Sequence, residues 1–212
     1  MKVLLLNGSP HKNGCTYTAL SCIAEALNER DIETEIFWVG TKPVMSCAAC
    51  GKCGEKGECV FDNDKVNEFV KKAYDADGFF FGTPVHYAAA TGAITAFLTR
   101  AFYSNSHADG AKAFRYKPAA SVASARRGGT TVTYDQINKF MGITEMPIIS
   151  SVYWNMVHGN TPEEVKQDEE GLFTMKALAK NMAYFLKCIQ AGNEKGIEPE
   201  DIGPKPATNF IR

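Results

Sequence analysis

Val3-Leu4-Leu5-Leu6-Asn7-Gly8-Ser9-Pro10-His11-Lys12-Asn13-Gly14-Cys15-Thr16 decides how the rest of the chain is read. The apolar run at its start has strand length and no alternation, which suits a central parallel strand covered on both faces. The turn formers Asn7 to Pro10 stop it. Beyond Thr16, Ala19, Leu20, Ile23, Ala24 and Leu27 recur at helical spacing. A strand, a Gly/Ser/Thr loop and a helix start, in that order, make an anion site, because free N–H groups and the helix dipole face the loop.

The loop narrows the choice of anion. Five residues separate Gly8 from Gly14, and Cys15 stands where a Walker loop has lysine. The dinucleotide fingerprint G-x-G-x-x-G is also missing. A loop of hydroxyls and amides without a lysine clamp suits a monophosphate such as the FMN tail. On the loop alone, an ordinary strand–helix connection capped by Thr16 stays open. Leu6 to His11 together with Gly14-Cys15-Thr16 resembles the first loop of the NAD(P)H-dependent FMN reductase family, flavodoxin-like flavoproteins. That loop usually reads Gly-Ser-Pro-Arg, then Gly-Asn-Thr; here His11 replaces the arginine and Cys15 the asparagine. The resemblance implies that Ser9, His11, Gly14, Cys15 and Thr16 hold FMN.

The chain has 212 residues, 45% apolar and 22% charged, which suits one globular domain. A net charge of −1 gives no reason to expect nucleic acid or an anionic membrane. No apolar run approaches the ~20 residues that span a bilayer, and the N-terminus enters a strand at once, so no signal peptide is expected. Seven cysteines without a secretion signal point to a cytoplasmic protein with a metal, a cluster or free thiols.

Along the chain, strands are expected over 33–39, 78–82, 118–124 and 147–153. Helices are expected from Val66 to Tyr74, Gly92 to Phe102, about Val132 to Met141, and Asp168 to Gln190, with a polar surface excursion over 103–117. With the first strand these give an α/β fold: a flavodoxin-like, doubly wound parallel five-stranded sheet, order 2-1-3-4-5. Ligands then bind over the carboxyl ends of the strands at the switch between strands 1 and 3. Residues 1–191 form the FMN-binding domain, and 192–212 a Gly-, Pro- and charge-rich tail, mobile or docked on a neighbouring subunit.

Two further loops converge on that point. Pro84-Val85-His86-Tyr87 resembles the family loop that lies along the flavin ring; read without the family, its aromatics cap the core. Arg126-Arg127-Gly128-Gly129 resembles the third family loop, in which Gly128 and Gly129 allow close backbone approach to the flavin. Arg126 would stabilise a reduced flavin or grip the phosphates of the nicotinamide nucleotide. No side chain is assigned as acid or base, since hydride transfer is the cofactor's chemistry.

Cys47-x2-Cys50-x2-Cys53-x5-Cys59 places four of the seven cysteines within 13 residues. Thiolates at two-residue gaps are the pattern of iron–sulfur ligands, whereas zinc sites more often use separated pairs; free thiols also fit. The run resembles that of the iron–sulfur flavoproteins, which implies a 4Fe–4S cluster on the same fold. Together the resemblances imply an FMN-dependent NAD(P)H oxidoreductase delivering electrons to a quinone, free flavin or other small acceptor. The alternative is an electron carrier with FMN and a cluster, served by a ferredoxin-like donor. A homodimer or homotetramer is expected, because the last helix offers a broad apolar stripe.

Overall fold

In the computed structural model, residues 1–200, 202, 203, 205–208 and 210 are described. The tail expected over 192–212 lies partly outside them. The elements run β1 (Lys2–Asn7), α1 (Cys15–Asn28), β2 (Glu33–Trp38), α2 (Cys53–Lys56), α3 (Val66–Tyr74), β3 (Gly78–His86) and β4 (Ala89–Ala90). Then come α4 (Gly92–Asp109), β5 (Ala119–Ala125), α5 (Thr130–Ile143), β6 (Met156–His158), α6 (Pro162–Val165) and α7 (Glu169–Asn193).

The sheet order is β2-β1-β3-β5-β6, and every pairing along it is parallel. Only the two-residue β4 lies off that path, folded back antiparallel on β3. Counted without β4, the parallel strands take the expected order 2-1-3-4-5. β1 is central and buried on both faces, which is why its sequence is an unbroken apolar run.

The two faces of β1 feed two cores. Leu4 and Leu6 pack with Phe69, Phe79, Phe81, Phe97 and Phe114 beneath α3 and α4. Val3 and Leu5 pack with Leu20, Ile23, Phe80, Leu178 and Met182 beneath α1 and α7. Each fully buried Leu or Phe is worth about 1.5–3 kcal/mol. Both faces therefore fix where the strand ends point.

Two expectations need correction. Residues 103–117 are not a surface excursion: α4 continues to Asp109, and Ala113 and Phe114 are fully buried. Two of the polar residues there, Ser104 and Asn105, are buried and hydrogen-bonded. Asn105 accepts from Ala113 N–H at 3.1 Å and donates to the Tyr74 hydroxyl at 2.8 Å. The last strand is split. Ile148 makes one parallel bridge to Ala119, and regular pairing resumes only at Met156. Between them the Ser151 hydroxyl bonds the Tyr153 carbonyl (2.5 Å) and the Asn155 side chain (2.7 Å), which turns the chain off the sheet.

Candidate functional site: a crevice over the strand ends and a cysteine pocket

The loop after β1 is built from the backbone outward. Asn7, fully buried, accepts from Ser9 N–H at 3.1 Å and donates to the Lys12 carbonyl at 3.0 Å. Gly8 N–H donates to the Gly82 carbonyl at 2.8 Å, and a Cβ on Gly8 would lie 2.7 Å from Ile94 Cδ1. Glycine is needed there for close approach rather than for an unusual φ. Trp38 Nε1 donates to the Ser9 carbonyl at 2.8 Å, tying the loop to the end of β2.

The loop opens onto the first turn of α1. Thr16 is not its cap: the capping position is Gly14, and no side chain caps the helix. Instead the Thr16 hydroxyl sits 2.8 Å from that of Ser124, at the end of β5. Among the described residues, no backbone carbonyl accepts from Thr16 N–H or Tyr17 N–H. An uncapped helix start with free donors is an anion-binding arrangement.

β3 runs on through Pro84 and Val85 to His86 before the chain reverses at Tyr87 and Ala88, both at positive φ (51° and 58°). Two such residues in succession make the tight hairpin that returns β4 onto β3. The Ala90 N–H donates to Gln136 of α5 at 3.0 Å. Gly129 has φ +96°, and a Cβ there would stand 2.6 Å from Ala88 Cα. The loops after β3 and β5 are thus in direct contact.

Of the expected residues, Ser9, His11, Cys15, Thr16, Pro84, Val85, His86 and Arg126 line one open crevice of about 240 Å³. Pro10, Ser124, Ala125, Gly159 and Asn160 complete its lining and were not among the expected residues. Gly14, Gly128 and Gly129 shape the loops without lining the crevice, and Tyr87 points fully into solvent. Burial pushes the Cys15 thiol up, against its own N–H, and it lies 3.7 Å from the Gly159 carbonyl. A second cleft, walled by Val39 to Val44, shares Pro10 and His86 with the first.

Immediately beyond that wall the chain enters the cysteine segment. Cys47, Cys50, Cys53 and Cys59 all line one cavity, with Phe61, Arg100 and Tyr103. Cys53 and Cys59 are buried, Cys47 is half-buried and Cys50 exposed; all seven cysteines are free thiols. Among the described residues, no three His, Cys, Asp or Glu side chains close on a single-ion site. The Ala49 N–H donates to Cys47 Sγ at 3.4 Å. Burial pushes the Cys53 thiol up, opposed by its own N–H and that of Gly54.

The family described as NADPH-dependent FMN reductase matches residues 1–161, which contain β1 to β6 and every loop above. The chain belongs to that family.

Similarity to two archaeal relatives extends over almost the whole chain. An iron–sulfur flavoprotein of Methanocaldococcus jannaschii is 30% identical over 201 residues, covering 90% of this chain and 100% of its own. An iron–sulfur flavoprotein of Methanosarcina thermophila is 28% identical over 200 residues, covering 92% of this chain and 100% of its own. Among solved structures, RosB with a bound 8-demethyl-8-formylriboflavin-5′-phosphate intermediate superposes with a TM-score of 0.68 at 16% identity. It covers 100% of this chain and 92% of that one. The apo form of an NADH:FMN oxidoreductase superposes with a TM-score of 0.61 at 17% identity, over 87% of this chain and 89% of that one. These two likenesses establish the fold.

The crevice brings the uncapped start of α1 together with Pro84 beyond β3 and Arg126 beyond β5. Among the described residues, no helix is long and apolar enough to cross a membrane.

Proposed function

We propose that the chain is an FMN-dependent oxidoreductase with its flavin in the crevice over β1, β3 and β5. Bound there, FMN supplies the chemistry of accepting hydride from NADH or NADPH and releasing electrons to a quinone, free flavin or similar small acceptor. The observation that carries this reading is the uncapped start of α1, where Thr16 N–H and Tyr17 N–H face a loop without a lysine clamp. Thr16 and Ser9 add hydroxyls for one phosphate; His11 and Cys15 flank it. Pro84, Val85 and His86 hold backbone groups along the ring, with Gly128 and Gly129 letting the β5 loop approach. Arg126, exposed at the rim, meets the nicotinamide nucleotide's phosphates or the reduced ring. Heat release and chromatography of the flavin from reconstituted protein tests this: FMN is expected, and FAD would refute it.

A second reading adds a redox centre, favoured by four cysteines around one cavity. Cys47, Cys50, Cys53 and Cys59 would hold a 4Fe–4S cluster, which supplies one-electron transfer. Their donor set fits: four thiols, of which Cys47 and Cys53 already receive backbone N–H groups. Four cysteines in one short run, three of them at two-residue gaps, follow the iron–sulfur ligand pattern rather than the two separated pairs of a zinc site. The chain would then relay electrons between a ferredoxin-like protein and a small acceptor. A visible spectrum of protein purified without air separates the two readings. Flavin bands alone leave the simple reductase, and an added broad absorbance supports the cluster.

Free thiols suit the reducing cytoplasm. Val152, Tyr153 and Trp154 lie exposed in the split of the last strand, and Tyr184 and Phe185 lie exposed on α7. Asn181 of α7 bonds the Ser150 carbonyl at 2.7 Å, which joins the two groups into one apolar face suited to a homodimer. Sedimentation as a monomer at micromolar concentration would refute that assembly.

A further inference from the structure

Arg100 is the only buried Arg, Lys, Asp or Glu among the described residues, at 1% exposure. It interrupts the apolar stripe of α4 formed by Ile94, Phe97, Leu98 and Ala101. A buried charge is costly unless paired, and well-packed apolar side chains often serve stability as well or better. A buried arginine at this position calls for a role beyond packing.

The guanidinium's partners give that role. Nε donates to Cys59 Sγ at 3.4 Å. One terminal nitrogen pairs with Asp64 and reaches the Met45 carbonyl at 3.4 Å. The other donates to the Phe61 carbonyl. Met45 lies two residues before Cys47, and Phe61 two residues after Cys59, so one side chain grips both ends of the cysteine run. With a neutral Cys59 thiol, the Arg100–Asp64 pair carries no net charge. A thiolate ligand at Cys59 would bring one more negative charge against the same guanidinium.

We infer that Arg100 is a positioning residue of the cysteine site that also makes the bound cluster easier to reduce, with Asp64 offsetting part of its charge. The inference rests on the cluster reading above. Hydrogen bonds to ligand sulfur, local net charge and solvent exclusion are the levers a protein has on such a potential. In the couple concerned, the oxidised cluster gains one electron from an external electrode, and no bond or proton of the chain changes place.

The test uses anaerobically purified full chain, its iron and acid-labile sulfide assayed, titrated spectroelectrochemically. Arg100→Gln should lower the cluster midpoint, leaving about a tenfold smaller ratio of reduced to oxidised cluster at a fixed potential, about 59 mV for one electron. Asp64→Asn keeps the acceptor that Val66 N–H uses at 3.1 Å but removes the counter-charge, so it should raise the midpoint. Opposite signs from two partners of one ion pair are not what a general loosening of structure gives, and the flavin midpoint should stay fixed in both. A midpoint that does not rise in Asp64→Asn, or does not fall in Arg100→Gln that retains its iron, overturns the inference. Should Arg100→Gln hold no iron, the sign in Asp64→Asn decides alone. Wild-type protein without iron overturns the cluster reading and this inference with it. Wild-type protein with a cluster whose midpoint ignores both variants overturns the inference alone.

Discussion

The crevice and the cysteine segment adjoin one another but are held by different means. The crevice is fixed by backbone: strand ends in register, Gly8 N–H on the Gly82 carbonyl, and Gly129 against Ala88. The cysteine segment has one four-residue helix, α2, and depends on side chains, chiefly the guanidinium of Arg100. The first is therefore preorganised by the fold, and ligand binding there does not have to order it. If the second holds a cluster as proposed, its folding would be coupled to binding it. Damage to either should leave the other largely intact.

The largest expected effect is on the cysteine side. Cys53→Ser removes one of four thiolates, and the iron, sulfide and broad visible absorbance should be lost altogether. FMN affinity should stay within about twofold of wild type, since no residue lining the crevice also lines the cysteine cavity. An FMN affinity that collapsed with the cluster would break the separation between the two regions.

On the crevice side, if FMN sits as proposed, Thr16→Ala and Ser9→Ala each remove a hydroxyl that would hydrogen-bond its phosphate. Each should weaken FMN by about 1.5–3 kcal/mol, or about ten- to a hundredfold in Kd, with iron content unchanged. Fluorescence titration of apoprotein measures it. Unaltered affinity in both variants would mean that the phosphate lies elsewhere.

The smallest effect sharpens the comparison from outside both sites. Glu35 on β2 lies 3.0 Å from Lys2 and 2.8 Å from Lys72. Burial pushes its carboxyl up, but the Lys72 and Lys2 ammonium groups outweigh this and hold it below the usual carboxylate value. A group with a lowered folded value stabilises above its unfolded pKa, about 4.3, and loses that contribution as pH falls through the folded one. Glu35→Gln should thus cost at most about 1 kcal/mol near neutrality, less at pH 4 and below. Denaturant titrations at both pH values check the sign, and a larger penalty in acid would contradict it.

What was legible in the sequence follows the same division. The parallel sheet and its order were readable because β1 is an unbroken apolar run and the helices repeat at their own period. The three loops were readable because glycine, proline and hydroxyl residues mark them locally. The part of Ser124 was not: it stands in a run of small residues, and only the parallel register carries its hydroxyl to Thr16. Trp38 looked like the end of a strand, and its bond to the Ser9 carbonyl spans 29 positions. Arg100 fell inside the expected helix from Gly92 to Phe102 without being singled out, because nothing nearby in sequence announces Cys59, 41 residues away. The split of the last strand depends on Ser151 and Asn155 bonding across a turn, which apolar patterning does not register. Local chemistry was legible, and long-range side-chain partners were not.

The most direct measurement is the stoichiometry of FMN, iron and acid-labile sulfide per chain in wild-type protein prepared without air. The expected result is about one FMN, with about four iron and about four sulfide. Flavin without iron or sulfide, with Cys47, Cys50, Cys53 and Cys59 titrating as free thiols, would contradict the two-site account and leave a simple flavin reductase.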